Sequence, residues 1–426
     1  MRNLKNPQSY EPELLEDFYP NDLRDLPKLP NAQPERMGNK KAPAKQMEPK
    51  ESEAFSSSSM EDIWQKINDV PKEAPDSQGE RKEPGKPLQD VRSFAGVKAG
   101  LSEEMPHALK AYDKAVSLMR YIMSFAGERK VYTDGLETVT HELISSLLRN
   151  QDALLCLPRI LQRGSYLHTH CVNVAILLGA FYLQDGHGAD EVKSAVLAGI
   201  FHDLGKGLLP PALIGSRKSL TTTEQAMAKR HPALGHTLLR ESQATLPPVV
   251  GMAALEHHER YDGSGYPQGL AGPNISKVGR LAAIADTYDA MSSRRPYKNA
   301  LLPHHALGVL YKKRGKHFHP DLLARFVKMI GIYPVGSIVE LSDGYCGLIT
   351  GNNPGNPLQP VVTLVMDPTG QNMQALECNL ANGEAADIIR CLSPVETRID
   401  PYHTILSNGK PSEDPDPFLH VFSQSK

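Results

Sequence analysis

The chain has 426 residues, 40% of them hydrophobic, and a formal net charge of -2. That is enough apolar material for a buried core, and the charge balance gives no sign of a polymeric nucleic acid or an anionic membrane as partner. The five cysteines, Cys156, Cys171, Cys346, Cys378 and Cys391, form no C-x-x-C pair, which argues against a disulfide framework or a zinc ribbon and suits a reducing cytoplasm.

The N-terminus carries no apolar secretory region, and no run approaches the roughly 18 apolar residues of a membrane span, so a cytoplasmic protein is expected. Residues 1–98 are rich in Pro, Glu, Lys and Ser. They cannot bury enough apolar surface to offset their ordering entropy and are expected to be a largely disordered tail. Within them MEDIWQKINDV (residues 60–70) has helical apolar spacing and the chain's only tryptophan, Trp64. A nascent helix in a tail is preferred there to a docking helix.

From Leu101 the period becomes helical. HALKAYDKAVSLMRYIMSFAG and LETVTHELISSLLRNQDALLCLPRIL repeat apolar residues at three and four. VNVAILLGAFYL (residues 172–183) is apolar nearly all round and predicts a buried core helix. DEVKSAVLAGIFHDLGK predicts a helix ending near Gly205–Gly207. TTTEQAMAKRHPALGHTLLRES opens with a capping-box pattern, Thr221-x-x-Glu224. Further helical segments run to Gly331, so residues 99–331 are expected to be one helical domain. Residues 332–395 are β-branched, with Gly, Asn and Pro breaks, and predict a small β module. Residues 396–426 are expected to be a loosely ordered tail. The fold class is therefore mainly α, with a small C-terminal β module.

Five of the sixteen histidines fall in one series with two aspartates: His170, His202, Asp203, His231, His257, His258 and Asp286. Each lies on or at the end of a predicted helix, and converging helices can present ligands to one point. Apolar helices have no structural need for such clusters, whose unpaired burial would cost several kcal/mol per group. Imidazole and carboxylate together suit iron, manganese or similar divalent metals. Seven ligands exceed one tetrahedral site, so two ions are the economical reading, with Asp203 as a natural bridge. Two ions about 3.5–4 Å apart would make a hydroxide from bound water and neutralise phosphoryl charge.

HDLGKGLLP (residues 202–210), HPALG (231–235), HHERYDGSGYPQGLAG (257–272) and RLAAIADTYDAMSSRRPYK (280–298), in this order and spacing, resemble the HD-GYP subgroup of the HD phosphohydrolase superfamily. The resemblance covers residues 101–331 and implies an HD-type helical bundle that hydrolyses cyclic di-GMP, a bacterial second messenger, to linear dinucleotide or GMP with two iron or manganese ions. Position by position, it implies that the seven residues above are metal ligands. Lys206 matches a lysine near the scissile phosphate. Tyr266 matches the tyrosine of the GYP loop. Arg295 and Lys298 match a phosphate-gripping pair. Catalysis would rest on Asp203 and Lys206, with Lys206 or a metal-bound water protonating the leaving group. Some members have a third-metal glutamate four residues before the first ligand histidine; Tyr166 stands there, so two ions are expected. The rival class is a signalling adaptor that binds partner proteins or cyclic dinucleotide through the GYP surface without turnover. The N-terminal tail is a second candidate surface for protein partners.

Neighbouring residues have plainer readings. Asp289 either orients a ligand histidine or is locally solvated. Asp262 is read as an Asx turn, Glu259 and Arg260 as a solvated helix end, and the basic run KKRGK (312–316) as helix-terminus charge. The remaining histidines are read as surface or core residues.

Overall fold

The computed structural model describes residues 57–68, 98–161, 165–214, 220–242, 244–293, 300–353, 356–382 and 386–407. The expectation of a disordered tail in residues 1–56 and 69–97 lies outside them. The helices are α1 (Ser57–Asn68), α2 (Leu101–Ala126), α3 (Leu136–Ile160), α4 (Tyr166–Gln184), α5 (Ala189–Phe201), α6 (Pro211–Ile214), α7 (Thr222–Ala228), α8 (His231–Glu241), α9 (Pro248–Glu256), α10 (Lys277–Ser292), α11 (Pro303–Lys312), α12 (Pro320–Ile330), α13 (Pro394–Thr397) and α14 (Pro401–Leu406).

The segment apolar on all sides becomes α4, buried from His170 to Tyr182. It packs against α2, α3, α5, α10 and α12, so it is the axis of the bundle. By length and composition it could cross a membrane, yet 67% of its most apolar stretch is buried inside the protein. Fully burying each Val, Leu, Ile or Phe contributes about 1.5–3 kcal/mol, and this surplus is what lets the same helix carry a buried histidine. The long pattern at 136–160 is broken at Asn150 (φ -158°, ψ 102°), whose side-chain oxygen accepts the Asp152 N–H at 3.1 Å and caps the second half. The helix expected to reach Gly205 stops at Phe201, and Leu204–Leu208 continues as a 3-10 turn. Thr221 and Glu224 form the capping box at α7.

Five antiparallel strands follow: β1 (Ile338–Leu341), β2 (Cys346–Gly351), β3 (Val361–Met366), β4 (Asn372–Asn379) and β5 (Ile388–Leu392), in the order β4-β3-β2-β1-β5. Ile338 lies opposite Leu348 on one side and Leu392 on the other, and all three are buried.

Two expectations are corrected. The Trp64 segment is a helix that docks: α1 packs on α11 and β5, Ile67 is buried, and Lys328 lies 5.8 Å from the Trp64 ring centroid. Within the segment expected to be a loose C-terminal tail, residues 396–407 are ordered, because α14 packs on α2 and β2 with Ile399 and Ile405 buried. Both segments hold apolar residues too sparse to announce burial without the surface that receives them.

Candidate metal centre

Consecutive residues within a helix point about 100° apart, so adjacent ligands converge only where a helix ends. Both adjacent pairs sit at such ends. His202 caps α5 and Asp203 opens the 3-10 turn. His257 caps α9, and the His258 ring follows with its centroid 4.2 Å away. His231 opens α8, His170 stands on the axial helix, and Asp286 lies on α10. Close backbone approach completes the convergence. A Cβ on Gly205 would lie 2.0 Å from the His231 carbonyl oxygen, so only glycine lets the 3-10 turn reach α8.

All seven side chains are buried. They form two groups able to hold an ion, His170–His202–Asp203 and His231–His257–His258. Asp203 joins them. Its Oδ2 is 3.6 Å from His170 Nε2 and 3.5 Å from His202 Nε2, while its Oδ1 is 3.2 Å from His231 Nε2 and 3.5 Å from His257 Nε2. Asp286 also spans both, 3.0 Å from His170 Nε2 and 3.7 Å from His258 Nδ1.

The imidazole tautomers test whether a cation fits. His202 Nδ1 donates to the Gly199 carbonyl at 2.7 Å, His231 Nδ1 to that of Ala228 at 2.7 Å, and His257 Nδ1 to those of Ala253 and Ala254, each at 3.1 Å. His170 Nδ1 donates to Asp289 Oδ2 at 2.6 Å. Each Nε2 is then a lone pair, because a neutral imidazole carries one N–H. Yet the Nε2 atoms face each other in pairs, His170 and His202 at 3.3 Å, His231 and His257 at 3.1 Å. Two lone pairs repel unless a cation lies between. Two nitrogens each about 2.0–2.1 Å from one ion stand roughly 3.0–3.4 Å apart. Asp203 Oδ1 is buried without a hydrogen bond, as an oxygen reserved for a cation would be. The residues fit a divalent metal.

Electrostatics agree for three of the rings and for the bridging carboxylate. Burial pushes His202 down to about 3 and lowers His231 and His258, which keeps these rings neutral and ligating. Burial opposes ionisation of Asp203, but Lys206 and His202 outweigh it and hold the carboxyl well below its usual range. His170 differs: burial likewise disfavours its charge, yet Asp286 and Asp289 raise it to about 9, so a cation bound there would have to displace a proton from its Nε2.

Around the ligands, Lys206 Nζ lies 2.5 Å from Asp203 Oδ2. The Tyr266 ring stacks on His258, centroids 4.7 Å apart, and burial raises its phenol far above the ordinary value. Arg295 and Lys298 lie outside the described residues. Asp289 orients His170 and is itself fixed by Asn173 Nδ2 at 2.8 Å and Ser293 Oγ at 2.6 Å. Asp262 forms the Asx turn, accepting from Ser264 N at 3.0 Å. The reading of Glu259 and Arg260 as a solvated helix end is wrong. Both are buried, and the Glu259 carboxylate accepts the N–H groups of Gln268 at 2.7 Å and Leu270 at 3.0 Å, pinning the GYP loop. Tyr166 lies against His170, its hydroxyl 3.4 Å from Nδ1. Lys229, which sequence reasoning missed, has its ammonium 5.5 Å from the Tyr266 centroid.

Comparison with known proteins agrees with this chemistry. Residues 171–322 match the HD domain, and residues 338–399 match the KOW domain associated with it. A cyclic di-GMP phosphodiesterase of Pseudomonas aeruginosa is 35% identical over 62% of this chain and 64% of its own length. A cyclic di-GMP phosphodiesterase response regulator of Xanthomonas campestris is 44% identical over 32% of this chain and 36% of its own. A 3'3'-cGAMP-specific phosphodiesterase of Vibrio cholerae is 36% identical over 36% of this chain and 28% of its own. The chain thus spans less than two thirds of each relative.

Proposed function

We propose that the chain is an HD domain protein of the HD-GYP type, a metal-dependent phosphodiesterase cleaving cyclic di-GMP to the linear dinucleotide or onward to GMP. The observation that carries this reading is the placement of Asp203, one oxygen turned to the His170–His202 pair and the other to His231–His257. The site would hold two divalent ions, iron or manganese, on His170, His202, Asp203, His231, His257, His258 and Asp286. Tyr166, rather than a carboxylate, beside His170 supports two ions and not three. Bound there, the metals would supply Lewis acidity toward the phosphoryl oxygens and a water of lowered pKa.

The protein's own groups then orient the substrate. Lys206, 15% exposed in its side chain, holds a proton beside the ligand carboxylate, where it can reach a phosphate or leaving oxygen. The Tyr266 phenol, raised by burial, stays protonated at neutral pH and can donate a hydrogen bond to the substrate. Arg295 and Lys298 would bind phosphate, the arginine in bidentate fashion. An adaptor role without turnover is disfavoured because the whole ligand set is retained. Action on an intracellular messenger goes with a cytoplasmic location.

The relative specific for 3'3'-cGAMP makes the mixed cyclic dinucleotide a second substrate to assay. The test is anaerobic metal analysis of purified protein together with turnover of both cyclic dinucleotides under manganese or iron(II). Two ions per chain and linear product are expected, with both lost in the double variant His202→Ala, Asp203→Ala. Hydrolysis of mononucleotides alone would refute the reading, and one ion per chain would remove the dinuclear site.

A further inference from the structure

We propose that Lys229 is a further substrate-binding residue of this centre, holding a phosphate of the incoming cyclic dinucleotide; the inference rests on the functional reading above. Lys229 forms the turn between α7 and α8, its N–H bonded to the Gln225 carbonyl at 2.9 Å, two residues before His231. This backbone anchor fixes where the side chain starts. The ammonium ends 5.5 Å from the centroid of the Tyr266 ring, which stacks on His258. A positive charge is therefore held at the edge of the ligand cluster by an aromatic face.

Three observations set this lysine apart from an ordinary surface charge. It is half-buried, which restricts where its side chain can go. It has no carboxylate partner among the described residues, whereas Lys206 is already tied to Asp203 at 2.5 Å. Its ammonium faces Tyr266, and a cation–π contact is weaker than a charge-assisted hydrogen bond to phosphate oxygen. An arriving phosphate can thus draw the ammonium off the ring at a net gain, while Tyr266 keeps its stack on His258. A cyclic dinucleotide brings two phosphate charges. One meets the metal ligands and Lys206, and Lys229 adds a cation for the other to the proposed grip of Arg295 and Lys298.

The test uses the full-length manganese-loaded protein with Lys229→Met, which keeps the length of the side chain without its charge, and Lys229→Arg, which restores a cation. Lys229→Met is expected to raise KM for cyclic di-GMP roughly tenfold or more, one charge-assisted contact. Its kcat should stay within about threefold and its metal content unchanged. The salt dependence of kcat/KM should flatten, because an ionic contact has gone. Lys229→Arg should recover most of the lost KM. A purely structural lysine would leave the salt slope alone, so a Lys229→Met protein with the unaltered KM and salt slope overturns the proposal. So does loss of metal in both variants, which would mean that Lys229 only positions His231. Absence of all cyclic-dinucleotide turnover in the unaltered protein would sink the functional reading separately. Calorimetric titration with cyclic di-GMP then still decides on Lys229: weaker binding by Lys229→Met supports it, and equal or undetectable binding by both proteins overturns it.

Discussion

Asp289 is three residues from the candidate ligand Asp286 yet faces the other nitrogen of the same imidazole, His170 Nδ1 at 2.6 Å. Its second oxygen is saturated by Asn173 and Ser293, and the Asn173 side-chain oxygen in turn accepts the Tyr112 hydroxyl at 2.8 Å. A chain of neutral donors thus fixes a carboxylate, which fixes a tautomer, which aims a lone pair. Asp289→Asn keeps the shape but offers an amide N–H where an acceptor is needed. Metal affinity should fall about 10–100-fold, the usual cost of losing such a support. Titration against a competing chelator measures it, and unchanged affinity would remove Asp289 from the metal site. The seven clustered residues were readable in the sequence because ionisable groups on apolar helices demand a reason. Asp289 was readable only as a choice between two roles, since its deciding partners lie 116 to 119 residues away in the chain.

Among the elements, the loop from Asp262 to Ala271 depends most on a distant group. Its ends meet in a single bridge between Asp262 and Ala271, and the 316–317 backbone braces it from outside through Asp262 N and Tyr261 N. A Cβ on Gly265 would lie 2.4 Å from Arg260 N, so the loop presses on the chain that follows His258. Glu259 closes this arrangement with two backbone bonds at 1% exposure. Glu259→Gln turns one acceptor into a donor facing an N–H. That should cost about 1–3 kcal/mol of loop stability. We expect KM for the dinucleotide to rise while metal content holds, and hydrogen exchange over residues 262–271 to quicken. If metal is lost instead, the loop is part of the ligand scaffold rather than the substrate grip. The motif letters announced this loop, but nothing in them marks Glu259 as buried. Its partners are backbone groups nine and eleven residues on, and backbone donors leave no trace in sequence. The docked helix α1 escaped for the same reason, its receiving surface on α11 and β5 being more than 200 residues away.

Across the whole molecule, the helices that carry His170 and Asp286 must keep their relative placement, and a charged knot at the far end of α4 does this. Asp185 receives Lys277 of α10 at 3.1 Å, the His187 ring at 3.1 Å and Arg325 of α12, which also pairs with Asp321 at 2.8 Å. His187 in turn meets Glu191 of α5 at 3.1 Å. Partial burial opposes the Asp185 charge, but His187, Lys277 and Arg325 outweigh it and hold the carboxyl far below its usual value. A carboxyl with a folded pKa below its unfolded value of about 3.9 stabilises the fold at every pH above that unfolded value. The contribution fades as pH drops from there toward the folded pKa. Asp185→Asn removes the charge at all pH values. It should cost about 1–2 kcal/mol at pH 7, a figure reduced from that of a fully buried pair because solvent reaches this knot. The gap between variant and unaltered protein, both stripped of metal with a chelator, should narrow in melts run below about pH 3.9. A gap that stays constant down to pH 2.5 would mean that the amide costs stability through packing, and that the bundle's geometry does not depend on this charge.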